Sequence, residues 1–348
     1  MKRVFDFMKS RGVMLIISAL VIVGGIAGTV ARGGFNLGID FEAGLSLTVS
    51  ISGSGVEADV ADVRAVLSDY DGAQIQRLGD AADNEFVIRV RDDGTVDDFE
   101  QVISADILQT LRSGFSDARV RELQASYVGP RFSEDLTRQA VTLTVFALVL
   151  ILAYLWFRFR LGYALASISA LLHDVLIILG VIGTFQLEVS TATIAAVLTI
   201  IGYSLNDTIV IFDRIRENET LLRETSFRTV INTSITQSLS RTMITSLTTL
   251  LAVTAIFVFS TGQIELFALK LIVGVIIGTY SSVFVASPIL LTWHTQSLAR
   301  RKRKDLEKYH KGAVGKSGGE ASGSAPTATA KTAAAAADVE ATKRAIAA

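Results

Sequence analysis

Asp207 stands inside an apolar stretch, Val189 to Phe212, that is long enough to cross a bilayer, which takes roughly 20 residues. A carboxylate at that depth costs about 2.5 to 3.5 kcal/mol on insertion scales, so such groups face a bundle interior or water and mark an ion or proton path. At about 100° per residue, Thr193, Ala196, Ile200, Tyr203, Ser204 and Asp207 share one helical stripe. The opposite face is Val, Leu and Ile, suited to lipid or packing. Asn206 points away from that stripe, and the spacing predicts that it bonds to another helix.

A second polar segment, Ser238 to Leu250 (SLSRTMITSLTTL), places Arg241, Thr245, Thr248 and Thr249 on one face, with Arg241 beginning or preceding its span. Antiparallel helices would put Asp207 roughly 27 Å from the outer end and Arg241 at a comparable depth. Spacing alone leaves two readings: a pair with Asp207, or an anchor that snorkels to the interface. The pair would be directional. Burial favours the neutral carboxyl and a nearby guanidinium favours the charged one, so proton occupancy follows their separation. Each elementary charge crossing is worth about 2.3 kcal/mol per 100 mV, enough to bias a conformational cycle. His173 and Asp174 lie about three turns into another apolar segment, where they either extend a relay or bond across helices. Asp213 and Arg214 fall at the cytoplasmic end of their span, as interfacial residues.

The elements that must position these groups are membrane spans. Half the residues are hydrophobic and mean hydropathy is +0.46, above the range of soluble domains. There is no cysteine, hence no disulfide framework or cysteine metal site. Lys2, Arg3, Lys9 and Arg11 precede an apolar run from Val13 to Val30. A signal peptide has that form too, but the run is longer than a signal core and no Ala-x-Ala site follows, so a retained span is expected. Gly24 and Gly28 form a GxxxG pair on it. Five more segments follow: Ala140 to Phe157, Gly162 to Phe185, Val189 to Phe212, Arg241 to Phe259, and Leu266 to Trp293, the last with Gly274, Gly278 and Ser282 repeating small residues for close packing. Domain boundaries are expected at 1–31, 32–138, 139–298 and 299–348.

The net charge of −1 hides segregation: Arg158 and Arg160, Arg214 to Arg228, and Arg300 to Lys304 fall in alternate connections on the side of the N-terminus. The positive-inside rule then makes both termini cytoplasmic and puts residues 32–138 outside. Within those residues, Leu45 to Ile51, Gln74 to Leu78, Glu85 to Val90 and Arg119 to Tyr127 read as strands, and Val56 to Tyr70 and Val96 to Leu111 as helices. That order implies a ferredoxin-like α+β unit. Its carboxylates, Asp80, Asp83, Glu85, Asp92, Asp93, Asp97 and Asp98, lack EF-hand spacing and read as a solvated face. The connection from Arg214 to Ser240 carries Leu221, Leu222, Phe227, Val230 and Ile231, an amphipathic set expected to lie on the inner membrane surface or to bind a partner. The tail from Arg300 begins basic, near anionic headgroups, and becomes rich in Ala, Gly, Ser and Thr, a composition that predicts disorder.

The layout, together with LGIDFEAG (Leu37 to Gly44), Tyr127-Val128-Gly129-Pro130, His173-Asp174-Val175, GYSLNDTIVIFDRIRE and SLSRTMITSLTTL, resembles the SecF branch of the SecD/SecF family of protein-export subunits over roughly Lys2 to Ser297. That resemblance implies a membrane protein with an RND-like half, a six-helix bundle plus the external domain. It implies partnership with SecD, association with the SecYEG channel, and use of the proton motive force at the bacterial cytoplasmic membrane to help export unfolded polypeptides. The family's proton-linked aspartate and arginine correspond to Asp207 and Arg241, with Tyr203, Ser204, Asn206, Thr245, His173 and Asp174 in support. One departure is Ala43 before Gly44, where the family commonly has two glycines. Two further classes stay open: half of an RND-like efflux or lipid transporter, whose outer domain would carry an apolar pocket, and a scaffold that conducts no protons. No nucleotide loop, zinc spacing or nucleophile–base pair is present, so neither an enzyme, a cofactor, a metal nor a nucleic-acid partner is expected.

Overall fold

Two periodicities, 3.6 in the spans and 2 in the intervening domain, divide the chain. The computed structural model describes residues 4–53, 58–70, 72–79 and 83–317. After a short 3-10 turn at Phe7–Lys9, α1 (Arg11–Ala31) is the first span. The external domain follows in the order β1 (Gly44–Ser52), α2 (Val60–Val66), β2 (Gln74–Leu78), β3 (Glu85–Arg91), α3 (Phe99–Gly114) and β4 (Arg119–Val128). Its sheet has the order β2-β3-β1-β4, antiparallel throughout, which is the ferredoxin-like arrangement. Leu45, Leu47, Val49 and Ile51 alternate onto one face of β1, and all four are fully covered by the helices, Val63 of α2 and Ile107 and Leu111 of α3 among the contacts.

Both helices differ from the sequence expectation at their starts. Asp59 caps α2, its carboxylate accepting from the Val60 amide at 2.7 Å while its own amide donates to the Asp62 carboxylate at 2.9 Å, so the helix begins at Val60; Val56 and Asp80 lie outside the described residues. Asp98 is left-handed at φ 51°, which stops α3 from reaching back to Val96. The acidic set is not wholly solvated either. Asp92 is buried and accepts the Tyr127 hydroxyl at 2.7 Å, and this bond pushes the phenol up to about 12.

Among the described residues, six helices are long and apolar enough to cross a membrane. Beyond α1 they are α4 (Pro130–Arg158), α5 (Leu161–Thr184), α6 (Thr191–Leu221), α7 (Phe227–Phe259) and the run of α8 (Gln263–Ser281), a π-helical turn at Ser282–Ala286 and α9 (Ser287–Ser317). α4 starts ten residues before its apolar segment, because Pro130 at the first helical position has its φ preset. The expected amphipathic connection is absent as such: α6 continues to Leu221 and α7 begins at Phe227, capped by Ser226. Val230 and Ile231 are therefore core residues rather than membrane-surface ones. The helix of α9 also runs on through residues 299–317, where disorder was expected, and the Arg, Lys, Leu and Glu of that stretch are strong helix formers. Thr295 onward forms a separate unit, and residues 318–348 lie outside the described part.

Small residues set the helix spacing. A Cβ on Gly25 would lie 2.8 Å from the Gly180 Cα, and Gly183 meets Thr29 in the same seam between α1 and α5. Gly28 contacts Thr184, whereas Gly24 meets nothing within 4 Å. One residue is about 100° of helix, so the face that reaches α5 is Gly25 and Gly28, not the GxxxG pair. Between α6 and α8, Gly274 meets Ile200 and Gly278 meets Ser204.

The external domain is fastened to the bundle through the connection between α5 and α6. Gly38 donates its amide to Val189 O and Val189 donates to Asn36 O, each at 2.8 Å. Asp40 accepts both the amide and the hydroxyl of Thr191 at 2.8 Å. Beneath this patch Arg89 of β3 pairs with Glu188, the side chains 8% and 6% exposed. Burial draws the Arg89 guanidinium below its usual value, and Glu188 offsets part of that. Removing one member of a buried pair leaves an uncompensated charge at a cost of roughly 3 to 5 kcal/mol. Arg89→Met should therefore lower the unfolding midpoint and speed hydrogen exchange at the Gly38 and Val189 amides, while Arg89→Met combined with Glu188→Met recovers most of the loss.

Candidate functional site

A polar layer crosses the bundle about thirteen or fourteen residues from one end. α6 and α7 are joined by five residues, 222–226; Asp207 lies fourteen residues before the end of α6, and Arg241 fourteen residues after the start of α7. At 1.5 Å per residue both sit about 21 Å from that turn, so the antiparallel hairpin holds them at one height. Arg241 accordingly stands four turns inside its helix and does not begin it.

Asp207 is 2% exposed, within a stripe whose Thr193, Ala196, Ile200 and Ser204 are equally buried, with Tyr203 at its edge. Its Oδ2 has no hydrogen-bond partner. The groups acting on its charge are Ser246 and Arg241, both from α7. Among the described residues no salt bridge joins Asp207 to Arg241; the guanidinium lies on an exposed face of α7, near enough for its charge to be felt. The face of α7 turned inward carries Ser238, Thr242 and Ser246 instead. Thr245 and Thr248 spend their hydroxyls on carbonyls of their own helix. Ser246 shares a hydrogen bond with Thr279 of α8 at 2.7 Å, which carries the layer onward.

Asp174 is the other carboxylate of the layer and is differently placed. Its Oδ1 meets His173 Nδ1 at 2.8 Å, and its Oδ2 accepts Ser204 Oγ of α6 at 2.5 Å and Ser281 Oγ of α8 at 2.8 Å. The side chain is fully buried, and three helices meet on it. Ser281 is the last residue before the π-helical turn; such turns occur often at functional sites. His173 Nε2, Tyr203 OH and Thr242 Oγ1 are buried without partners, so the layer holds polar atoms able to bond to water or to a migrating proton. Asn206 differs from expectation: it is exposed and, among the described residues, makes no bond to another helix, because its position on α6 faces outward. Both carboxylate oxygens of Asp213 instead accept from one guanidinium nitrogen of Arg158, Nη2, at 2.8 and 2.7 Å, tying α4 to α6, while Arg214 donates to Gln237 Oε1 at 2.6 Å.

Lys270 of α8 escaped the sequence reading. It is 2% exposed and donates to Glu188 O at 2.7 Å and Thr193 Oγ1 at 2.6 Å, joining α8 and α6 to the connection that fastens the external domain. The signal was present, since a lone lysine in an apolar span is a functional candidate by default.

A family model described as "Protein export membrane protein SecD/SecF, C-terminal" matches residues 107–296. The chain belongs to the SecD/SecF family. A protein translocase subunit SecF from Borreliella burgdorferi is 41% identical over 84% of this chain and 98% of its own length. A protein translocase subunit SecF from Rhodothermus marinus is 38% identical over 86% and 96%. The crystal structure of SecDF from Thermus thermophilus, titled a translocon-associated membrane protein, superposes with a TM-score of 0.73 at 34% identity. It is aligned over 84% of this chain and 39% of its own, so this SecD/SecF member spans about two fifths of that longer protein. Family and helices together make it a multi-pass membrane protein with an external α+β domain.

The two carboxylates should separate on mutation. Asp174→Ala orphans buried donors on three helices and should lower stability by on the order of 3 kcal/mol; Asp207→Asn, with an unpartnered Oδ2, should unfold within about 1 kcal/mol of the parent. Thermal and denaturant unfolding in detergent measures both.

Proposed function

We propose that this SecF-type subunit acts with SecD, beside the SecYEG channel, to draw unfolded polypeptides across the bacterial cytoplasmic membrane at the expense of the proton motive force. The observation that carries the reading is the buried, unpartnered Oδ2 of Asp207 at the same height as Arg241. A carboxylate whose neighbour is a guanidinium on the adjacent helix takes up a proton when the two move apart and gives it up when they close. In this mechanism Asp207 is the proton-coupling group and Arg241 sets its occupancy. Ser204, Tyr203 and Ser246 border it, and Asp174 with His173 holds α5, α6 and α8 in register around it; Asn206 looks outward, toward lipid or a partner.

The SecD partnership is supported by relatives named SecDF, such as that of Brucella abortus, 37% identical over 74% of this chain and a third of its own length. In the proposed topology both termini are cytoplasmic, residues 32–138 lie outside and receive the emerging polypeptide, and the clasp of Arg89, Glu188 and Lys270 carries motion between that domain and the bundle. Gradient-dependent export in inverted vesicles that contain the SecD partner tests the reading. Asp207→Asn should abolish stimulation by the proton motive force while the complex still assembles. If stimulation survives at the parent level, the subunit is a scaffold and conducts no protons through this residue.

A further inference from the structure

A cavity of about 650 Å³ opens where the rim of the external sheet meets the first turns of α4, within the ~300–1,000 Å³ of small-molecule sites. Its walls carry two cations, Arg91 and Arg138, two anions, Glu42 and Glu134, and the apolar Phe41 and Val141. Among the described residues, none of the four charged side chains has a hydrogen bond or ion pair. Asp92 also lines the space, but its carboxylate is committed to Tyr127 at 2.7 Å and Gly94 N at 2.8 Å. The unpartnered charges are therefore two of each sign, and the Asp92 carboxylate, held by neutral donors, is a further anion on the same wall.

The position of the cavity fixes what can reach it. Arg138 is the last charged residue of α4 before Arg158, so the cavity straddles the boundary between the polar and apolar parts of a span. α4 is also the least covered span, with 6% of its apolar window buried. Below the cavity, Val141, Val145, Val149 and Leu152 form one exposed stripe at 57, 54, 54 and 41%, following helical spacing. A ligand with a charged, zwitterionic head and an apolar tail matches both halves. Guanidinium groups bind phosphate oxygens through paired N–H donors, and an ammonium offers three N–H donors to carboxylates.

We propose that this cavity seats the headgroup of a zwitterionic phospholipid bearing a primary amine. Its phosphate lies on Arg91 and Arg138, its ammonium on Glu42 and Glu134, and an acyl chain along the Val141 stripe. The site is independent of Asp207 and of the proton-coupling reading.

Native mass spectrometry of the full chain in detergent tests it, with phosphatidylethanolamine, phosphatidylcholine and phosphatidylglycerol of identical acyl chains as probes. Phosphatidylethanolamine should be retained several-fold better than either rival, since choline lacks N–H donors and the glycerol head lacks the cation. Arg91→Gln with Arg138→Gln should weaken its binding ~10-fold, whereas Arg121→Gln on β4 leaves it unchanged. Glu42→Gln with Glu134→Gln should erase the preference over phosphatidylglycerol, and this ratio decides the matter even if the arginine variant unfolds. Equal retention of phosphatidylethanolamine and phosphatidylcholine, or a selectivity untouched by the carboxylate changes, overturns the proposal. So does competition by glycerophosphoethanolamine as strong as by the whole lipid, which would make the ligand a soluble phosphoryl amine.

Discussion

A bundle bathed in lipid cannot hydrate its polar groups from outside, so each buried one needs another helix, and Asp174 has two. His173 on its own helix, Ser204 on α6 and Ser281 on α8 all reach its two oxygens. They reach it because α8 has no side chain at Gly274 or Gly278, letting its backbone close onto Ile200 and Ser204. The packing and the polar network are thus one constraint. The glycines bring the helices near enough for serine, the shortest hydroxyl, to bridge them, and the bridges hold the helices at that distance.

Against this fixed frame Asp207 is the exception. It lies three residues beyond Ser204 on the same stripe, is as buried as Asp174, and leaves an oxygen without a donor. A fully bonded carboxylate is held in one position. One that is half bonded, beside an arginine on a neighbouring helix, changes state when the helices shift. The hairpin geometry supplies the neighbour: equal helix lengths on either side of a five-residue turn put Asp207 and Arg241 at one height.

Much of this was legible beforehand, and the reasons are physical. The β1 alternation and the α6 stripe are local periodicities, so Leu45 to Ile51 and Thr193 to Asp207 were found in the right register. The family was legible because its fourth-span segment is unusually specific. Helix starts were less so, since Pro130 and Ser226 fix them through caps in polar sequence that hydropathy ignores, which concealed that Arg241 lies four turns inside α7. The inward face of α7 was read one residue off, on Thr245 rather than Thr242 and Ser246, because every position nearby is polar or small and periodicity had nothing to contrast. Arg89 and Glu188 lie 99 residues apart, and no spacing rule connects them.

The account turns on Asp207 being the carboxyl that changes protonation when the helices shift. Infrared difference spectroscopy between high and low pH, on the reconstituted complex with its aspartates carrying isotope-shifted carbonyls, reads this directly. An isotope-shifted protonated-carboxyl band that titrates in the parent and vanishes in Asp207→Asn is the predicted result. The same band surviving at full intensity in Asp207→Asn would contradict it and move proton coupling to another carboxylate.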